Sequence, residues 1–316
     1  MKSNKIINIK IGILVVIGSF LICICFSGCN TDPFCENNPD YTGADNLIGF
    51  MGVDIENLSQ AHSLGASTVF LQIHQPTSFI VPAIAQAEDL EINIGARAKG
   101  RSYFQIGEKI DFDKLKQMMV EQFTDSNIAA QLSGYYLIDE PCHPHKWDIS
   151  LQDLSRVYEI CKEVDNDIVV LYNFGDLGCF NDLIQENGNA NPVVDIACFT
   201  VTLKKIQDNP DYIKSMAENA AMAREIYPSI KIVPLIAVYS SNGSGKIHEM
   251  PASDHILEIT EQILAEDDFD GIMFFPWKKS KYMLQSIEDI ANDSLYIDTF
   301  KFVFESAKWK YNTKKY

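Results

Sequence analysis

The sequence predicts an α/β chain that closes as one eight-unit parallel barrel, and two observations carry that prediction. Short apolar runs alternate with amphipathic segments eight times from Leu47 onward. Most of these runs are continuously apolar rather than alternating, as strands covered on both faces are. Eight β-then-α units in about 270 residues match the order and size of a single (β/α)8 barrel of the TIM type. An open doubly wound sheet is the alternative. It would carry a glycine-rich phosphate turn after its first strand, and Gly52-Val53-Asp54 has no such pattern.

The strands are expected at Leu47–Val53, Thr68–His74, Glu91–Ala96, Gly134–Ile138, Asp167–Asn173, Val193–Phe199, Lys231–Tyr239 and Gly271–Trp277. Leu151–Val164 is the clearest helix: Leu151, Leu154, Val157, Tyr158, Ile160, Cys161 and Val164 recur at helical spacing. Ser150 caps it and Asp153 follows three residues later, a variant of the capping box. Asp211–Tyr227 and Asp254–Ala265 show the same periodicity, and Phe112–Phe123 starts after Asp111, an accepted cap. Pro82 interrupts a weaker helical pattern at Thr77–Ala87.

The chain has 316 residues, is 47% hydrophobic and carries a net charge of −17. That apolar content excludes a disordered chain. The charge argues against nucleic acid and anionic membrane surfaces, which need clustered Lys and Arg. The charge is also unevenly placed: residues 1–28 hold Lys2, Lys5 and Lys10 and no acid. The remainder has 23 bases against 43 acids.

Lys2 to Lys10 form a positive leader, and Ile11 to Phe26 follow without a charge. Such a run is short for a spanning helix and suits the apolar core of an export signal. Phe26-Ser27-Gly28-Cys29 then resembles the lipobox of bacterial lipoproteins, with Phe26 where Leu is usual. The resemblance implies that Cys29 is lipidated and anchors the mature chain to a membrane outside the cytoplasm; a signal anchor that is never cut is the alternative. The expected organisation is a signal over 1–28, a polar tether over 29–46 and a barrel domain over 47–316. Six cysteines remain after the signal. Cys161 and Cys198 fall on apolar faces and read as inert core thiols. Cys142 and Cys179 are read in loops, where an exported compartment permits them to pair.

In a barrel of this kind the active site lies at the C-terminal ends of the strands. Those ends offer Asp54, then Gln72 and His74, then Arg97, Lys99 and Arg101. The fourth ends in Asp139-Glu140-Pro141, with Cys142, His143 and His145 beyond. The fifth offers Tyr172, Asn173 and Asp176; the sixth, Thr200 and Thr202; the seventh, Tyr239 and Ser240; the eighth, Trp277 and Lys278. An apolar strand running into two adjacent carboxylates is costly unless they face the barrel mouth. Adjacent carboxylates repel, and such a pair divides into a proton donor and an ionised partner.

The Asp139-Glu140-Pro141 run at this place resembles barrel-fold glycoside hydrolases, which often carry Asn-Glu-Pro at the end of strand four. An Asp-Glu pair there is similar to the N-acetylhexosaminidases that use substrate-assisted catalysis, and to spherulin-4-like enzymes acting on galactosamine polymers. The resemblance implies Glu140 as general acid/base and Asp139 as the partner that orients a 2-acetamido group.

Two departures narrow the match. A two-carboxylate retaining enzyme of this layout needs a nucleophile near the end of strand seven, with the carboxyls about 5 Å apart. Ile232 to Asn242 contains no acid. The chitinase-like DxxDxDxE pattern fails too, because its other acidic positions fall on Ser133, Tyr136 and Ile138. What survives is substrate-assisted chemistry, or an inverting mechanism with Asp176 or Asp54 as base.

Trp277 at the end of strand eight is expected to stack on a sugar ring at the mouth, or else to sit in the core. Tyr172, Asn173, Tyr239, His74 and Asp176 are expected to line the substrate site. Arg97 is the residue of the Arg97–Arg101 basic patch nearest the site, able to clamp an acidic group or to pair with Asp139. No cofactor and no metal are expected. A carbohydrate is the expected ligand, with no nucleic-acid partner and no signal for an oligomer. Two further readings stay open: a glycan-binding barrel without catalysis, and a metal-dependent hydrolase using the Cys142-His143-Pro144-His145 run with Asp139, Glu140 and His74 nearby.

Overall fold

The computed structural model describes residues 46–72, 80–97, 104–106, 109–123, 126–143, 148–186, 192–241, 249–280 and 283–313. The expected signal, Cys29 and nearly all of the expected tether lie outside them. The strands are β1 (Leu47–Val53), β2 (Thr68–Leu71), β3 (Asn93–Arg97), β4 (Leu132–Asp139), β5 (Val170–Asn173), β6 (Ile196–Val201), β7 (Lys231–Ala237) and β8 (Gly271–Phe275). Each pairs in parallel with its neighbour in the chain, and β8 returns to β1 with Leu47 opposite Gly271. The chain therefore forms a closed single (β/α)8 barrel. One main helix follows each strand, α1 (Leu58–Ser63), α2 (Ile80–Asp89), α3 (Phe112–Gln122), α4 (Leu151–Val164), α5 (Leu177–Glu186), α6 (Tyr212–Ile226), α7 (Ser253–Ala265) and α8 (Ser294–Thr313), with shorter helices in the connections, Leu203–Asp208 after β6 among them.

Local chemistry sets the boundaries. The Ser150 hydroxyl accepts from the Asp153 N–H at 3.2 Å, and Asp153 returns a bond to the Ser150 N–H, so the capping box of α4 is complete. Asp111 caps α3 by accepting from the Lys114 N–H. Pro82 does not break α2, because it falls in the first turn, where backbone N–H groups have no helical partner. The apolar lead-ins to β5 and β6 are not strand. Asp195 stands just before β6, where its carboxylate accepts from the Val170 N–H at 2.7 Å and the Tyr158 hydroxyl at 2.8 Å. That bond holds the starts of β5 and β6 together and places regular pairing after it. Cys179 lies in the first turn of α5 rather than in a loop.

The core has two layers. Inside the barrel, Phe70, Tyr136, Leu171, Ile196, Cys198 and Leu235 interdigitate with Met51 and Met273. Between barrel and helices lies a larger shell, in which Phe50 meets Trp277, Phe300 and Phe304 edge-on at 5.0–5.2 Å. Phe70 fills the centre of the barrel because β3 carries no side chain at Gly95, where a Cβ would lie 2.4 Å from its ring. Among the described residues no helix is long and apolar enough to cross a membrane.

Gly95→Ala is accordingly expected to overpack the barrel interior and cost about 1–3 kcal/mol, read as a lower denaturant midpoint at constant slope. Adding Phe70→Leu should recover part of the loss, and independent additivity of the two changes would contradict this packing.

Candidate active site

β4 delivers the two carboxylates to the C-terminal mouth. Its register against β5 shifts between Tyr136 and Ile138, which leaves Asp139 opposite Asn173. Tyr136 points into the barrel, and its hydroxyl donates to Asp139 Oδ1 at 2.7 Å. The Asn173 amide donates to the same oxygen at 3.0 Å. Asn173 also donates to the Thr200 hydroxyl at 3.2 Å and accepts from the Gly175 N–H at 3.0 Å. The ends of β4, β5 and β6 are thus joined through one amide.

Glu140 follows in the left-handed backbone region, with φ 51°. A non-glycine residue held there carries strain of about 1–3 kcal/mol, and such residues cluster at functional sites. Surrounding bonds keep the turn in place. The Glu140 N–H donates to the Asn173 carbonyl at 2.6 Å, and its own carbonyl accepts from the His143 N–H at 2.9 Å. The Glu140 carboxyl lies over Gly175, where a Cβ would come within 3.2–3.5 Å of its Cγ, Cδ and Oε1. Gly175 itself has φ 75°, so both its conformation and its lack of a side chain are required. A disulfide joins Cys142 to Cys179, tying this turn to α5.

Behind Gly175 sits a polar cluster that sequence reasoning missed. The Lys205 ammonium donates to the Gly175 carbonyl at 2.7 Å, the Thr200 carbonyl at 2.8 Å and the Tyr212 hydroxyl at 2.8 Å. Burial pulls the Lys205 pKa below its ordinary value, against the opposing charges of Asp176 and Glu140. Burial raises the Tyr212 pKa, helped by the charge and hydrogen bond of Asp176. Asp176 also accepts from the Gly178 N–H at 2.8 Å. It is thus engaged by the turn that begins α5 and by Tyr212. Nothing in the composition of Leu203 to Asp208 separates Lys205 from an ordinary solvated lysine. Tyr136 was hidden as well: counting alternate residues back from Asp139 lands on Leu137 and Tyr135, and only the register shift between Tyr136 and Ile138 brings Tyr136 to the same side as Asp139.

A cavity of about 340 Å3 occupies the mouth, with Tyr136, Asp139, Asn173, Gln72, Phe275 and Lys278 among its walls. Lys278 pairs with Asp54 and, at 3.7 Å, with Glu56, so Asp54 serves an ion pair at the rim. Tyr239 is half-buried, and burial raises its pKa, with the charge of Glu140 adding to the shift.

Two expectations are corrected. Trp277 is 0% exposed and packs against Phe50 outside the barrel; it does not line the mouth. β8 ends at Phe275, and past Pro276 the indole turns outward toward the helices. Tyr172 is also 0% exposed and lies in the outer shell, with its ring 6.1 Å from Phe174. Strand alternation puts Leu171 inside the barrel and Asn173 at the mouth, and so sends Tyr172 outward.

Arg97 ends β3 opposite Tyr136, and its side chain lies outside the described parts, as do His74, Lys99, Arg101 and His145. Of the expected site residues, the structure brings together Asp139, Glu140, Asn173 and Asp176. Among the described residues no group of three or more His, Cys, Asp or Glu could hold a metal ion. Cys142 is committed to its disulfide and has no thiolate to offer.

The strain at Glu140 is testable apart from any activity. Glu140→Gly is expected to be about 1 kcal/mol more stable than Glu140→Ala, the reverse of the usual order, in equilibrium denaturation. Equal stability would show that the position is unstrained.

No protein-family model matches the chain, and no curated protein does. Solved structures of glycoside hydrolases share its fold at low identity. A β-galactosidase from Rahnella sp. R3 aligns with TM-score 0.59 and 10% identity, over 86% of this chain and 57% of its own. A β-D-glucuronidase from Dictyoglomus thermophilum aligns with TM-score 0.57 and 12% identity, over 82% of this chain and 50% of its own, so the present chain spans about half of that enzyme. A psychrophilic family 10 endo-β-1,4-xylanase aligns with TM-score 0.52 and 11% identity, over 81% of this chain and 96% of its own. The barrel of this chain is a fold that these glycosidases also use.

Proposed function

We propose that the protein is an exported, lipid-anchored glycoside hydrolase acting on a glycan that contains N-acetylhexosamine. The observation that carries this reading is the carboxylate pair at the end of β4. Asp139 is held by Tyr136 and Asn173, and the strained Glu140 turn beside it is braced by Gly175 and a disulfide. The strand count supports the substrate-assisted form. β7 ends at Ala237, and no acid stands at the strand end, where a retaining enzyme of this layout holds its nucleophile; the next acid in the chain is Glu249, twelve residues on, in the wall of the neighbouring cavity.

In that reading Glu140 donates its proton to the glycosidic oxygen as the bond to the anomeric carbon breaks. The acetamido carbonyl oxygen of the substrate bonds to the same carbon and closes a five-membered oxazolinium ring. Asp139, fixed by two donors on one oxygen, accepts from the acetamido N–H and balances the positive charge. Glu140, now ionised, then takes a proton from water, whose oxygen attacks the anomeric carbon and reopens the ring. Configuration is retained overall. The glucuronide, galactoside and xylan named for the structural neighbours belong to those proteins.

Glu140→Gln should lower kcat on an aryl N-acetylhexosaminide by about 10²–10⁴-fold. Matching aryl glycosides without the acetamido group should be cleaved far more slowly by the wild type. Undiminished turnover by Glu140→Gln would remove Glu140 from the chemistry. Glycan binding without turnover in both proteins would instead establish a binding role.

Anchoring is tested separately. The full-length chain should fractionate with membranes and Cys29→Ala should not; membrane association that survives the substitution would point to an uncut signal anchor.

A further inference from the structure

A second cavity, of about 330 Å3, opens beside the first at the ends of β6 and β7, lined by Thr202, Leu203, Gln207, Tyr239, Glu249 and Pro251. We propose that this cavity is a subsite for a neutral sugar, so that the substrate is an oligosaccharide or polymer crossing the mouth rather than a single terminal sugar. The proposal rests on the glycosidase reading and extends it to the substrate's length.

Two observations connect the cavities. The short helix Leu203–Asp208 serves both places at once. Lys205 reaches from it to the Gly175 carbonyl, directly under the Glu140 carboxyl, while Leu203 and Gln207 of the same helix line the second cavity. Tyr239 and Phe275 stand between the cavities. Their rings are 6.4 Å apart, Tyr239 walls the second and Phe275 the first, and Tyr239 lies within electrostatic reach of Glu140. A ligand filling both cavities therefore crosses this pair of rings.

The lining chemistry selects the class of ligand. Gln207 both donates and accepts, Glu249 accepts, Tyr239 offers a hydroxyl, and Leu203 with Pro251 supply apolar surface. A pyranose presents the same mixture, hydroxyls around an apolar C–H face. The two charged side chains in the lining, Glu249 and Lys204, are of opposite sign, and Lys204 also pairs with Asp208 at 3.0 Å, so the cavity carries no net charge that would select an ionic sugar. Both cavities fall at the lower end of the volumes that ligand sites occupy, and they suit a chain of small units better than one large one.

The test uses full-length protein, N-acetylglucosamine and N-acetylgalactosamine tetrasaccharides, and the aryl monoglycoside of each sugar. Gln207 and Glu249 are exposed, so Gln207→Ala and Glu249→Ala should keep the wild-type melting temperature. The ratio of kcat/KM on tetrasaccharide to kcat/KM on aryl glycoside should fall at least tenfold in each variant. An unchanged ratio overturns the subsite even where Glu140→Gln is inactive and the glycosidase reading stands. Where Glu140→Gln turns over like the wild type, that reading fails. Calorimetry then decides the subsite alone: tetrasaccharide affinity weakened tenfold by Gln207→Ala supports it, and equal affinity overturns it. If neither tetrasaccharide is cleaved or bound, both readings fall.

Discussion

Asn173 is 4% exposed at the end of β5, and its amide is engaged on both sides. Its nitrogen donates to Asp139 and Thr200, and its oxygen accepts from the Gly175 N–H. A buried amide left partly unpaired costs about 1–3 kcal/mol for each orphaned group, so the three strand ends are held to one another as a unit. The rest of the site follows from that unit. Asp139 is oriented by it, Gly175 is placed by it, and the Glu140 carboxyl rests on Gly175. The backbone carbonyl of Asn173 also receives the Glu140 N–H, so the same residue supports both Asp139 and the strained turn.

The fold was legible because parallel strands buried on both faces leave continuous apolar runs, and each run expected from the sequence contributes a strand. The edges were less legible. Val193 and Val194 are buried without being strand, since Asp195 spends its hydrogen bonds on the β5 start. The Asp139–Glu140 pair could be read directly, because two acids ending an apolar strand have few other uses. The brace behind it could not. Lys205 becomes a structural cation only when β6, its short helix and α6 fold around it, and no local pattern announces that.

Trp277 and Tyr172 show a second limit. Both were assigned to the mouth by position along the strand, and position does not decide facing. On β5 the two-residue period sends Tyr172 to the helices between an inward Leu171 and a mouth-facing Asn173. At β8 the strand stops at Phe275, and the indole beyond it completes the aromatic shell around Phe50 and Phe300. The mouth is left with smaller and more polar walls than a tryptophan platform would make.

The disulfide between Cys142 and Cys179 stands two residues from Glu140 and bridges a sequence separation of 37. A covalent link over such a span typically contributes about 2–4 kcal/mol by restricting the unfolded chain. Its placement matters more than its magnitude. The turn that carries Glu140 stores backbone strain, and a strained turn relaxes unless its surroundings hold it. With the thiols reduced, that turn loses its covalent tie to α5 and is left with hydrogen bonds and packing. With the bond formed, the Glu140 turn is held covalently as well as by hydrogen bonds and packing. The redox state of the surroundings therefore bears directly on how tightly this one turn is held.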